Sequence, residues 1–553
     1  MADPPGRSTS RGSGLRPVRY VALAGLVAAV IAPLSALIWR GARPASISEA
    51  ASPEVAEATV NTLVTSGAGA VLATLFGASL AWTIERTDLP FRNLFRAAFL
   101  APFLIPPFIG TIGWLAIFGP VGYANNAYKR FTGAGEPFFD LYNPVGIVVL
   151  LAVFSYPVVY VVVAAALSGI PASLEDAART GGAGRFAVLR DVTLPLLAPT
   201  VVAGFILTLV SNLSDFGVPA LLGLPVQYQV LPTLIYRYLV GGGTADPVGA
   251  AAALGIVLLA VGVFAFALQR SVSGRAAFPV SGRPARPVVL GEARLPLAAF
   301  LGLTAFAISG APMLALLAGS LQPAPGVPLT PGNVTFGNIA TAATSPTAVE
   351  GLYNSLLLAG GAALVCGLLG ALVAVLITRS KDRIGSTLDT LALLPQALPG
   401  AVVAVGWILV SIPLGFYNTK AVILFAYVTA FLALVVQAVR GPLASVPQSF
   451  ERAARLSGAS PVRTLSDITL PIVATPILAG ATLVFFTAVR ELTISSLLVS
   501  PGTQTLGVVV FNLQDAGAFG SSQALALLVA AASLAGAGGA LLVLGGRGAV
   551  GRN

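Results

Sequence analysis

The sequence predicts an all-α polytopic membrane protein with about twelve transmembrane helices, arranged as two parallel repeats of six. Three observations predict it. First, 56% of the 553 residues are hydrophobic and only 9% are charged. A soluble domain carries roughly 25% charged residues, so this chain has too few charges to cover a water-facing surface of its size. Second, apolar runs long enough to cross a bilayer, about 17–25 residues, recur along the whole length. Third, polar and proline markers of the first six runs return in the same order in the last six. Ordinary soluble globular folds, disordered chains and single-span anchored enzymes are excluded.

The rarer residues exclude more. The chain has no histidine, so a His-based metal site, a histidine proton relay and a Ser-His-Asp hydrolase are all absent. Cys366 is the single cysteine, which rules out an internal disulfide and any multi-cysteine metal cluster; it reads as a small packing residue. No metal ligand set is assigned. The net charge is +10, but the arginines fall between apolar runs, which points to membrane topology and not to nucleic acid.

The predicted spans lie near 20–39, 60–84, 94–118, 145–167, 197–219 and 248–268, then near 295–319, 352–378, 388–411, 421–440, 472–492 and 522–546. They are rich in Gly, Ala and Ser, which let helices approach closely in lipid. With the N-terminus in the cytoplasm, 24 of the 31 Lys and Arg fall in cytoplasmic segments and 7 on the other side or at outer span ends. That split is a positive-inside signal and puts both termini in the cytoplasm. The apolar core of the first span, Val21 to Ile38, is longer than a signal-peptide core of roughly 7–15 residues, so the span is expected to be an uncleaved anchor.

The halves form a tandem repeat. Asn61, Pro102, Pro106, Gly113 and Trp114 return 293 residues later as Asn354, Pro395, Pro399, Gly406 and Trp407. The segments from Pro171 to Arg179 and from Asp191 to Pro195 return 276 residues later; the loop after the third span is longer than its counterpart. Six spans per half, an even number, give both copies the same orientation, a parallel repeat. The expected organisation is a tail over 1–19, a first half over 20–268, a cytoplasmic linker over 269–294, a second half over 295–546 and a tail over 547–553.

Within each half, residues 168–196 and 444–472 fall on the cytoplasmic side and are too polar to span. Ser173 and Ser449 suit an N-cap, with Glu175 and Glu451 in the first turn. An Ala-Ala-Arg run favours helix, and Gly182 and Gly458 break it. A second short helix is expected next, with Pro195 and Pro471 opening the following span. Each half thus presents a helix, a glycine turn and a second helix at the membrane surface, a shape suited to a groove on a partner protein.

The pattern at Ala177, Ala178, Gly182, Val192, Leu194 and Pro195, repeated at Ala453, Ala454, Gly458, Ile468, Leu470 and Pro471, resembles the EAA loop of ABC importer membrane subunits. Two such loops at matching places resemble the type I importer permease fold in fused double-length form. The resemblance implies that each loop docks an ATPase subunit and carries its closure to the membrane helices. It departs from the pattern before Ala-Ala, where Asp176 stands in one half and Arg452 in the other, each preceded by a glutamate, Glu175 or Glu451. The three lysines, Lys129, Lys381 and Lys420, are followed by Arg, Asp and Ala, so none completes a P-loop. The chain is therefore expected to be no enzyme and to bind no cofactor, with ATP and Mg in two copies of a separate ATPase subunit. A periplasmic or lipid-anchored binding protein would deliver cargo from outside a bacterial inner membrane.

Two complete halves in one chain, the Pro395–Gly400 stretch and the run from Arg490-Glu491 to Thr503 are similar to ferric-iron permeases. Permeases for thiamine, polyamines and aminoethylphosphonate are their relatives. Candidate residues of a substrate path are Asn212, Asp215, Arg490 and Glu491, with Pro102, Pro106, Pro395 and Pro399, whose rings kink or break helices. Asp215 and Glu491 occupy matching positions, 276 apart, near outer span ends. Oxygen ligands suit a hard cation, while ion pairing that merely stabilises the bundle is the alternative role. Tyr123, Tyr128, Tyr142, Tyr228, Tyr236 and Tyr238 are placed in outer loops as an interfacial belt. The rival from another class is an ion-coupled secondary transporter of two six-helix halves; a membrane scaffold gives no reason for paired proline-broken helices.

Overall fold

In lipid every backbone N–H and C=O must be satisfied within its own segment, so long apolar runs fold as helices. A computed structural model describes residues 16–242, 244–273, 287–379 and 382–550. Most of the predicted tail 1–19, the middle of the linker 269–294, Lys381 and the last three residues lie outside the described residues.

Ten helices among the described residues are long and apolar enough to cross a membrane. In chain order, the first half holds α1 (Arg19–Gly41), α2 (Pro53–Arg86), α3 (Arg92–Leu104), α4 (Pro107–Thr132) and α5 (Pro144–Gly169). It continues with α6 (Ala172–Thr180), α7 (Arg185–Leu213), α8 (Gly217–Val226), α9 (Leu231–Gly241) and α10 (Pro247–Gln269). The second half holds α11 (Gly291–Leu321), α12 (Pro346–Arg379), α13 (Arg383–Ala397), α14 (Gly400–Leu414) and α15 (Lys420–Ser445). After these come α16 (Ser449–Leu456), α17 (Pro461–Ile472), α18 (Ala474–Val489), α19 (Thr493–Leu498), α20 (Leu506–Asp515) and α21 (Phe519–Val550).

Every predicted span has a helix or a bent pair in its place, but several boundaries move. The third breaks at Ile105–Pro106, between α3 and α4. The ninth and eleventh are bent pairs, α13 with α14 at 112° and α17 with α18 at 71°. The fifth ends at Leu213, short of the predicted 219, and is followed by a further bent pair, α8 with α9 at 71°. No span is expected from the sequence between 219 and 248. Four of the tyrosines expected in outer loops lie on helices, Tyr123 and Tyr128 on α4 and Tyr236 and Tyr238 on α9; Tyr238 is buried, and the Tyr236 ring packs against Phe216 and Phe511 at 5.1 and 6.1 Å.

The chain divides into two compact units that interleave the halves. One holds residues 1–36, 355–398 and 406–489; the other holds 37–354, 399–405 and 490–553. The opening helix of the second half, and that of the first as far as Ala36, thus pack in a unit built mostly from the other half. In the first unit a Cβ on Gly406 would meet the Pro33 carbonyl oxygen at 2.9 Å; in the second a Cβ on Gly113 would meet that of Pro312 at 2.8 Å. Only glycine lets backbones come this close. The Gly-Trp repeat seen in the sequence is therefore a seat for the opening helix.

These proline-bearing helices stay continuous through π turns, at Val27–Ile31 and Phe306–Gly310. A proline leaves the carbonyl four residues earlier without its donor, and neighbouring side chains supply replacements. Pro33 frees Ala29, whose oxygen accepts from Thr429 Oγ1 at 2.7 Å. Pro102 frees Ala98, which accepts from Ser309 Oγ at 3.2 Å.

Candidate functional site

The two polar loops fold alike. In the first, α6 ends in a turn where Gly182 has φ +87°, the left-handed region that glycine enters freely. Ala183 N–H donates to Ala178 O and Gly181 N–H to Ala177 O, both at 3.0 Å, closing the last turn. In the second, Gly458 has φ +88°, and Ala459 and Ser457 make the matching bonds to Ala454 and Ala453, also at 3.0 Å. The helix starts differ from expectation. Pro171 and Gln448 occupy the N-cap positions, so Ser173 and Ser449 lie within the first turn. Nor do the prolines open the next element. It begins at Arg185 in one half and Pro461 in the other, and runs through π turns at Leu189–Thr193 and Leu465–Thr469 before Pro195 and Pro471.

Glu175 lies in the first turn of α6, as expected, and is only 5% exposed. Its carboxylate pairs with Arg86, the last residue of α2, and accepts from Thr193 Oγ1 at 3.1 Å. Arg179 lies 3.9 Å away on the same helix. The second half repeats the triangle: Arg379 Nε donates to Glu451 Oε1 at 2.9 Å and Thr469 Oγ1 to the same oxygen at 3.4 Å. Arg379 also donates to Val446 O at 3.2 Å. In the sequence the two arginines stand out only as topology charges, and neither threonine stands out at all. The signal was there, since Arg86 and Arg379 are 293 apart and Thr193 and Thr469 are 276 apart.

With the glutamates turned inward, the outward faces carry other groups. Asp176 and Ala177 are exposed, as are Arg452 and Ala453; Ala178 and Ala454 are half-buried. Leu194, Pro195 and Pro471 are exposed and Leu470 half-buried. Two apolar pairs are also exposed at repeat-matched positions, Leu174 with Phe450 and Phe186 with Val462. An apolar knob beside polar groups is what a partner's groove would receive.

The candidate path residues are brought to element junctions. Asp215 Oδ1 accepts Val218 N–H at 2.9 Å, capping α8. Glu491 accepts Ile494 and Ser495 N–H at 2.5 and 3.0 Å, capping α19. The matched acids thus close matched breaks before the short helices that follow α7 and α18, the roles a helix N-terminus gives a carboxylate. Asn212 is buried and donates to Ser66 O at 3.4 Å. Arg490 donates to Phe103 O, the carbonyl left without a partner by Pro107, and its guanidinium sits 5.3 Å from the Phe103 ring. Pro102 lies inside α3 and Pro106 at its break from α4, while Pro395 opens the final turn of α13 and Pro399 precedes α14. Among the described residues no group of three or more acids or cysteines is placed to hold a metal ion.

The described residues form a helical, membrane-spanning chain that carries one loop architecture twice. Residues 53–277 and 366–544 match the family described as binding-protein-dependent transport system inner membrane component. The match covers more than half of the chain, which belongs to this family and is a permease subunit of an ABC importer. The chain is 26% identical to the ferric transport system permease protein FbpB of Actinobacillus pleuropneumoniae, over 83% of this chain and 67% of that protein. It is 25% identical to the probable ABC transporter permease protein y4fN of Sinorhizobium fredii, over 90% of each. It is 30% identical to the sulfate transport system permease protein CysT of Salmonella typhimurium, over 38% of this chain and 73% of that protein. A solved bacterial ABC transporter that imports the acidic polysaccharide alginate aligns with 44% of this chain and 93% of its own at a TM-score of 0.34 and 17% identity.

Proposed function

We propose that this chain forms the translocation path of an ATP-driven importer of ferric iron in a bacterial inner membrane, with both termini in the cytoplasm. Two copies of an ATPase subunit, which carry ATP and Mg, dock on the loops at Glu175–Gly182 and Glu451–Gly458. A periplasmic or lipid-anchored binding protein delivers the cargo. Closure of the ATPase pair draws the loops together and switches the path from inward- to outward-facing. The observation that supports the docking is the pair of loops with matching turns, each with a glutamate held by an arginine and with exposed apolar residues. Iron rests on similarity to a permease of that name over most of the chain. A shared fold does not fix cargo, and the similarity to a sulfate permease favours an oxyanion as the second reading.

The experiment is capture followed by uptake. The tagged chain, purified from its own membranes, is expected to bring down an ATPase subunit; a chain that comes out alone would count against docking at these loops. Vesicles with the captured ATPase and binding protein are then expected to take up ⁵⁵Fe(III) when ATP is added. Uptake of molybdate or sulfate with no iron uptake would replace the iron reading and leave the permease reading standing.

A further inference from the structure

The glutamate of each loop is held where three elements meet. Glu175 on α6 is gripped by Arg86 at the end of α2 and by Thr193 in the π turn of α7. Glu451 on α16 is gripped by Arg379 at the end of α12 and by Thr469 in the π turn of α17. An exposed surface loop has no need of such an arrangement, since its acids are solvated by water. A carboxylate taken out of water is retained only with a charge partner and further donors. Here the partners recur residue for residue in both halves, and each arginine is the last residue of a 34-residue helix.

We propose that Arg86 and Arg379 are positioning residues that fasten each coupling helix to the end of its long membrane helix, so that loop displacement is carried into α2 and α12. In this arrangement Glu175 and Glu451 are latch groups, and docking to a partner falls on their exposed neighbours Asp176 and Arg452. The inference rests on the permease reading for its purpose, but the mechanical link belongs to the chain alone. A coupling helix that moves must take the arginine with it or part an ion pair that is buried in the first loop and half-buried in the second. The two latches are unequal. The side chains of Arg86 and Glu175 are 9% and 6% exposed, against 15% and 14% for Arg379 and Glu451. A cavity of about 40 Å³ borders the second latch, lined by Arg379, Glu451 and Thr469. That is room for a water molecule, so the second latch is the weaker.

Hydrogen–deuterium exchange on the purified full chain tests the link without partner or cargo. Glu451→Gln and Arg379→Gln are each expected to speed exchange about tenfold or more in two places together, over 449–456 and over the last turn of α12. The swapped pair, Arg379→Glu with Glu451→Arg, is expected to recover much of the protection at both. Arg452→Ala is expected to change neither. Glu175→Gln should loosen 172–180 and the last turn of α2, by a larger factor than its counterpart. Faster exchange confined to the coupling helix, with the long helix unaffected, would overturn the proposal. So would a swapped pair no better than the single variants while the chain stays folded by circular dichroism. In ATPase-containing vesicles the latch variants should keep ATPase capture but lose at least tenfold in uptake per ATP hydrolysed, whereas Arg452→Ala should weaken capture. If the native chain captures no ATPase, the docking reading fails, and the exchange result still decides the latch.

Discussion

Replacing the turn glycines separates backbone conformation from packing. Gly182 and Gly458 sit at φ +87° and +88°, and a Cβ built on either meets nothing within 4 Å. Alanine at these positions therefore brings no clash, only the cost of a left-handed L-residue, about 1–2 kcal/mol. At 25 °C that shifts the closed turn by about 5- to 30-fold. Asparagine visits this region with a smaller cost. Proline cannot reach it, since its ring fixes φ near −65°, and it also removes the N–H that Gly182 donates to Arg179 O at 3.0 Å. A loss of about 3 kcal/mol or more follows. The reporter amides are Ala183 and Ala459, whose bonds to Ala178 O and Ala454 O, at 3.0 Å, close the turns. Their exchange rates should rise in the order Gly, Asn, Ala, Pro at both positions, and ATPase capture should fall in the same order. The reasoning is refuted if alanine exchanges like glycine, or if asparagine is as damaging as proline in both loops.

Arg490→Met leaves the Phe103 carbonyl with neither a helical donor nor a side-chain one, and about 1.5–3 kcal/mol of stability should be lost, read as a lowered melting temperature; an unchanged melt would mean that another donor takes over. Asp215→Asn keeps the acceptor that caps α8 and should leave the melt unmoved, whereas Asp215→Ala should cost about 1 kcal/mol. Asp215→Asn with Glu491→Gln is expected to preserve uptake, and a fall in uptake at an unchanged melt would assign these carboxylates to the cargo path. Gly113→Ala and Gly406→Ala push a methyl onto a backbone oxygen at 2.8 and 2.9 Å and should each cost about 1–3 kcal/mol by overpacking. Normal stability of both variants would show that the opening helices can give way.

A single physical device explains several residues that look unrelated in the sequence. Prolines shape these helices, and each one strands a carbonyl. Thr429, Ser309 and Arg490 each donate to a carbonyl that a proline has freed. In hydrocarbon a stranded carbonyl costs several kcal/mol, so a proline and its distant donor are expected to change together. This gives Arg490 a structural role beside the path that its charge suggested.

Much of this protein was legible in one dimension. Hydropathy and span length determined the helical membrane class, because lipid leaves the backbone no other way to satisfy its polar groups. Repeat spacing of 293 and 276 residues determined the duplication, and the helix-favouring Ala-Ala-Arg run with the glycine that follows it marked the helix end in each loop, where the structure gives Gly182 and Gly458 a positive φ. These are local properties, set by composition or by a residue's own conformational limits. What the tertiary structure decided is everything that depends on partners distant in the chain. It turned Glu175 and Glu451 inward onto Arg86 and Arg379, and made Asp215 and Glu491 caps. It drew the opening helix of the second half, and that of the first as far as Ala36, into a unit built mostly from the other half. A charged residue in a sequence carries no record of whether water or an ion partner will meet it. That is settled only when burial removes the water and a particular neighbour has to replace it.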